Sequence, residues 1–229
     1  MAYSFIVSAG AGGTASTVTT GAVTTTGANL IVIGVTFDTT AARIISDSKS
    51  NTWTPLTATT SLSAGAQLYY CYAPTVGTSH TFSNTGTNNY STLFMMAFSG
   101  ALTSPFDVEN GATGSTGTTL ATGSVTPSVD NELLVTFFGF NLAGTPISID
   151  NSFNQDTAAV DFSAANHYGG GMAYKVQTTA TAVNPTWTRT NSGLIMSARI
   201  ATFKAAASGS SVTYTNPNLK VLNTMGVGT

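Results

Sequence analysis

The chain has 229 residues, 42% of them apolar and 7% charged, with a formal net charge of −2. An ordinary soluble domain carries roughly 25% charged residues, and disorder couples low hydrophobicity to high charge, so this composition excludes a disordered chain. Seven Lys+Arg cannot form the basic footprint of a nucleic-acid binder, and the longest apolar runs, Leu30 to Val35 and Leu93 to Phe98, fall short of the roughly 18 residues a membrane helix needs.

The first residues, Met1 to Val7, have neither a basic n-region nor a long apolar h-region, so synthesis in the cytosol without an export signal is expected. Gly10 to Gly13 is no phosphate loop, since neither a Lys nor a helix start follows it. Leu30 to Phe37 is a continuous apolar run with a glycine inside, the pattern of a central strand covered on both faces. Asp47 to Asn51 is turn chemistry. Cys71 stands among Tyr69, Tyr70 and Tyr72 and reads as a buried strand thiol. With a single cysteine, no intrachain disulfide can form. Asn84 to Asn89 and Thr103 to Asn110 read as turns on either side of an apolar strand, Leu93 to Phe98. Leu133 to Phe140 repeats the apolar run. Turn clusters follow at Asn141 to Pro146, Asn151 to Gln155 and His167 to Gly171, and Tyr174 to Gln177 alternates as a half-exposed strand.

Threonine is the commonest residue, with roughly forty copies, and its β-branched side chain suits a pleated, half-exposed surface. Solubility then rests on hydroxyls and amides, a composition usual for proteins that work outside a cell. No segment sustains a 3.6-residue period. Strand spacing of about 8–15 residues indicates an all-β sandwich.

The two halves align in four blocks taken in the same order. Leu30 to Phe37 parallels Leu133 to Phe140; Ile45 to Ser48 parallels Ser148 to Asn151 with the aspartates in register; His80-Thr81-Phe82 parallels Pro185-Thr186-Trp187; Leu93 to Phe98 parallels Ala198 to Phe203. The expected fold is therefore an internally duplicated β-sandwich, jelly-roll-like, of about ten to twelve strands over residues 1–204. The pseudo-repeats would cover about 1–105 and 106–204. Two tandem Ig-like sandwiches are the competing architecture.

Five segments carry a resemblance: Asp47 to Thr54, Phe98 to Ala101, Ser104 to Val108, Asp130 to Val135 and Asn184 to Thr188. In this order they resemble a loosely defined family of Thr/Gly-rich β-sandwich modules found in phage virion structural proteins and bacterial surface proteins. The resemblance spans roughly residues 15–205. It implies a non-enzymatic surface or virion module and carries over no catalytic residue.

Candidate chemical groups are few. His80 and His167 lie in loop-like contexts; Asp161 is the acid nearest His167 in sequence, and His80 has none nearby. Asp107/Glu109 and Asp130/Glu132 read as strand-edge turns, and a glycosidase would need two carboxylates facing each other across a cleft. Asp47 to Asn51 and Asp150 to Asn154 offer oxygen ligands for Ca²⁺, but Asx-turns explain them as well. No cofactor, metal or catalytic set is expected. Trp53, Trp187, Tyr69, Tyr70, Tyr72, Tyr90 and Tyr168 could include a sugar-stacking platform; the paired placement of the two tryptophans favours packing.

Ala205 to Ser211 reads as a linker. Residues 212–229 form an extended C-terminal arm whose apolar side chains, Tyr214, Leu219, Val221, Leu222, Met225 and Val227, would bind a partner by adding a strand to a neighbouring sheet edge. The expected function is a bacteriophage virion structural protein, first a capsid decoration (cement) protein bound to neighbouring capsid subunits. A tail, fibre or receptor-binding carbohydrate module is the alternative. Expected partners are major capsid or tail proteins, further copies of the chain and, under the alternative, a host-surface glycan. Neither nucleic acid nor membrane is expected as a partner.

Overall fold

A computed structural model describes residues 2–13, 15–38, 43–61, 63–86, 91–141, 147–160, 168–193 and 195–207, with the backbone alone at 91 and 156–160. The strands of the first half are β1 (Ser4–Gly13), β2 (Thr17–Thr19), β3 (Leu30–Phe37), β4 (Arg43–Asp47), β5 (Thr54–Pro55), β6 (Thr59–Ser61), β7 (Ala64–Tyr72), β8 (Phe82–Gly86) and β9 (Ser91–Ser99). Those of the second are β10 (Ala101–Gly114), β11 (Thr119–Ala121), β12 (Glu132–Asn141), β13 (Ile147–Ile149), β14 (Asn154–Val160), β15 (Tyr168–Gln177), β16 (Thr186–Arg189) and β17 (Met196–Ala205). The described chain is all-β, and every pairing is antiparallel.

Two large sheets form the middle of the molecule. One has the order β1-β9-β3-β7-β5, with β6 beside β7; the other has the order β10-β17-β12-β15-β14. Two three-stranded sheets, β2-β8-β4 and β11-β16-β13, lie outside them. A central core joins the large sheets through Leu30, Val32, Leu68, Phe94, Met96 and Phe98 on one side and Leu133, Val135, Phe137, Met172, Ala201 and Phe203 on the other. Ile31, Ile33, Val35 and Phe82 build a second core under β2-β8-β4. Leu134, Phe138, Trp187 and Ile200 build a third under β11-β16-β13. This layering explains the uninterrupted apolar runs. All eight residues of β3 are buried because both of its faces are covered.

The halves share strand order and register. Leu30 pairs with Phe98 and Tyr72, and Leu133 pairs with Phe203 and Val176. The bridge Val23↔His80 corresponds to Val125↔Val183. That bridge corrects one sequence parallel: His80 stands where Val183 stands, so Phe82 matches Pro185 rather than Trp187. Repeated Thr and aromatic residues two positions apart mislead the eye by one pleat. The strands also outnumber the expected ten to twelve, because each half supplies a large sheet and a small one. Thr103 to Asn110, read as a turn, lies within β10. Among the described residues it is an edge strand paired on β17 alone, where Pro, Gly and Asn are tolerated.

The large sheets meet in a two-fold pattern. β7 lies on β12 and β17, while β15 lies on β3 and β9. Two aromatic trios span the seam. Phe5 and Phe98 enclose Tyr174, with Phe5 stacked on it at 5.1 Å, and Phe106 and Phe203 enclose Tyr70, with Phe106 stacked at 6.0 Å. Matching positions meet each other at the centre. A Cβ at Gly34 would collide with the Phe137 ring, and one at Gly139 would come within 2.6 Å of Thr36 Oγ1. The Thr36 hydroxyl donates to Gly169 O at 3.0 Å, and Ser197 Oγ donates to Ala64 O at 2.7 Å. Arg199 reaches across to Thr59 Oγ1 and pairs with Glu109, which also accepts from the Thr57 backbone N–H and hydroxyl.

Candidate binding groove

The groove is built where β10 departs from its partner. Between the pairs Ala101↔Ala205 and Phe106↔Phe203, β10 carries residues 102–105 while β17 carries Lys204 alone. Such a bulge re-aims side chains at a sheet edge. Ser104 takes a left-handed φ of 55° immediately before Pro105, a conformation an L-residue adopts only when its surroundings enforce it. The displaced chain forms one wall, Thr52 and Thr54 form the other, and Tyr70, Tyr72 and Phe106 make the floor of a groove of about 480 Å³. Tyr72 Oη shares a hydrogen bond with Thr103 Oγ1 at 3.2 Å. Of these residues only Tyr70 and Tyr72 stood out in the sequence as candidates for sugar stacking; the others lay in segments that carry the resemblance, with no binding role assigned. Thr52, Thr54, Ser104, Pro105 and Phe106 come from separate segments whose convergence no local pattern encodes.

The other aromatic candidates serve packing. Trp187 is fully buried, stacks on Phe138 at 5.6 Å, and donates through Nε1 to Thr136 Oγ1 at 2.9 Å. Trp53 is half-buried against Phe82 and donates to Asp47 Oδ2 at 2.9 Å. Tyr69 and Tyr168 are buried, as is Cys71, whose thiol burial and the Asp47 carboxylate push up to about 11.

His80 is not a loop residue: it is fully buried and has an acidic partner 33 positions away in sequence. Its Nε2 lies 3.1 Å from Asp47 Oδ1, and its Nδ1 lies 2.9 Å from Thr25 Oγ1. With Nε2–H donating to Asp47, Nδ1 accepts from Thr25. A hydroxyl, an imidazole and a carboxylate thus stand in line. All three are sealed from solvent, whereas a nucleophile must be reached by its substrate. The row works as a clamp. Asp47 Oδ1 also takes the Lys49 N–H at 2.7 Å, an Asx-turn, and Thr25 holds both backbone groups of Gly77, its N–H donating to Gly77 O at 2.9 Å and its hydroxyl oxygen accepting from Gly77 N. Asp150, its sequence counterpart, is exposed and accepts from Thr186 N at 2.7 Å.

The carboxylates pair differently from the sequence grouping. Asp107 joins Glu132, both accepting from Ser128 N, and Lys204 Nζ lies 2.8 Å from Asp107. Burial opposes ionisation of Asp107, but bonds from Lys204 and Ser128 outweigh it and hold the carboxyl below its usual range. Burial, with Asp107 beside it, pushes Glu132 up. Glu109 instead bonds Arg199, and Asp130 accepts from Ala180 N at 2.8 Å. Among the described residues, no three or more His, Cys, Asp or Glu side chains gather as a metal-binding group. His167, Asp161, Tyr90 and the six arm residues Tyr214, Leu219, Val221, Leu222, Met225 and Val227 lie outside the described residues. No protein family, curated protein or solved structure matches this chain.

Proposed function

We propose that the chain is a non-enzymatic structural protein of a bacteriophage virion, in the first instance a decoration protein that binds neighbouring capsid subunits. The observation that carries this reading is where the reactive side chains are spent. His80, Asp47, Arg199 and Glu109 tie turns to strands or one half to the other, and the exposed positions among the described residues are mostly Thr, Ser and Asn. The shared strand order also supports descent of the two halves from one duplicated, jelly-roll-like unit. Edge strands β1 and β10 are each paired on one side among the described residues. They are natural acceptors for an extended arm such as 212–229 from a second copy. Mass spectrometry of gradient-purified particles from the source culture tests the assignment. The protein is expected to co-purify at a copy number comparable to the major structural proteins; its absence from particles would contradict it. A receptor-binding role on a tail or fibre is the second reading, and the groove beside Tyr72 favours it.

A further inference from the structure

We propose that the groove between β5, β7 and the β10 bulge binds an uncharged oligosaccharide, with Tyr72 as the stacking platform. The inference rests on the receptor-binding reading and names its ligand class. At about 480 Å³ the groove has the size of a small-molecule site. Among the described residues its lining contains no charged side chain, so an anionic or cationic ligand would lose hydration without gaining a counter-charge there. The walls instead present hydroxyls from Thr52, Thr54 and Ser104. A hydroxyl both donates and accepts, which matches the hydroxyl rim of a sugar.

The two tyrosines of the floor differ. Tyr70 is stacked on Phe106 and meets the Phe203 edge, so its ring belongs to the seam between the sheets. Tyr72 has no aromatic ring against it among the described residues, and its hydroxyl is held by Thr103. A ring fixed at its tip loses little freedom on binding, and its electron-rich face attracts the C–H face of a pyranose. The second half has no such platform. Val176 stands in register where Tyr72 stands, and β1 runs through Ser4↔Ser99 and Phe5↔Phe98 with no insertion between them. The groove thus forms where β5 and β7 of the first half meet β10 of the second, and the matching meeting of β15 with β1 lacks both its tyrosine and its bulge.

The test is a titration of the ¹⁵N-labelled full chain with maltotriose, cellotriose and N,N′,N″-triacetylchitotriose, with anionic 3′-sialyllactose as comparison. At least one neutral trisaccharide is expected to shift the amide signals of Tyr72, Thr103 and Ser104 saturably. Tyr72→Ala should weaken that binding about tenfold or more, a loss of the size of one aromatic contact. Tyr72→Phe should keep most of it, and Val176→Ala all of it. Absence of shifts across the neutral panel, shifts confined to another surface, a preference for sialyllactose, or full binding by folded Tyr72→Ala would each overturn the proposal. None of these results bears on particle association, which the copy-number measurement decides separately.

Discussion

The halves agree where strands are buried on both faces and diverge where turns close the small sheets. Phe37 and Phe140 occupy the same place, opposite Gly65 and Gly169. A guanidinium covers each ring, but Arg43 comes from β4 at 3.2 Å while Arg189 comes from β16 at 5.4 Å. His80 clamps Asp47 in the first half; Val183 and an exposed Asp150 replace that clamp in the second. At the seam, divergence is itself the packing solution. Gly34 lies under Phe137, and Gly139 under Thr36. Identical halves would set two rings, or two empty places, against each other at this contact. A single chain can place a large residue against a small one there, which two identical subunits cannot do.

The largest effects should come from the aromatics that only one half possesses. Trp187→Ala removes a fully buried ring and leaves Thr136 without its donor, so a loss of about 3–5 kcal/mol is expected in chemical denaturation. Trp53→Ala, at a half-buried site, should cost less. Phe137→Ala should also cost about 3–5 kcal/mol, and Gly34→Ala about 1–3 kcal/mol by overpacking. Combined, the two should cost less than their sum by roughly 0.5–3 kcal/mol, because each relieves the other. Strict additivity would mean the seam is not packed as described.

Importing the second half's residue with His80→Val should cost about 1–3 kcal/mol, since Thr25 and Asp47 lose a buried partner. Val183→Ala should cost less, as it breaks no polar clamp. Alkaline pH gives a smaller, graded effect. Burial raises the Cys71 thiol from 9.0 to about 11, and burial together with Asp38 raises Tyr168 from 10.0 to about 12. Both are neutral below these values, so their contribution to stability is intact below about pH 9 and fades as pH rises through the folded-state values. Denaturation midpoints should be level from pH 7 to 9 and fall beyond. Arg189→Met should be neutral or mildly stabilising. The guanidinium nitrogens are buried without a hydrogen-bond partner among the described residues, and burial lowers the group to about 10.

The apolar runs of β3 and β12 were legible because covering both faces removes the polar alternation that blurs other strands. The apolar runs Leu93–Phe98 in β9 and Ala198–Phe203 in β17 were legible for the same reason. β10 was not, since an edge strand carrying Pro105 and Gly111 has the composition of a turn. The two-residue β5 and three-residue β6 are too short for any period to show. His80 and Asp47 meet across 33 positions of sequence, and the groove draws on three separate segments. Such contacts depend on sheet order, which local chemistry does not specify.

Differential scanning calorimetry of the full chain tests the central claim, that one shared core binds the halves into a single cooperative unit. We predict one transition whose calorimetric enthalpy equals its van't Hoff enthalpy, shifted as a whole by both Trp53→Ala and Trp187→Ala. Two resolved transitions, each moved by only one of these substitutions, would show halves that fold independently and would contradict the account.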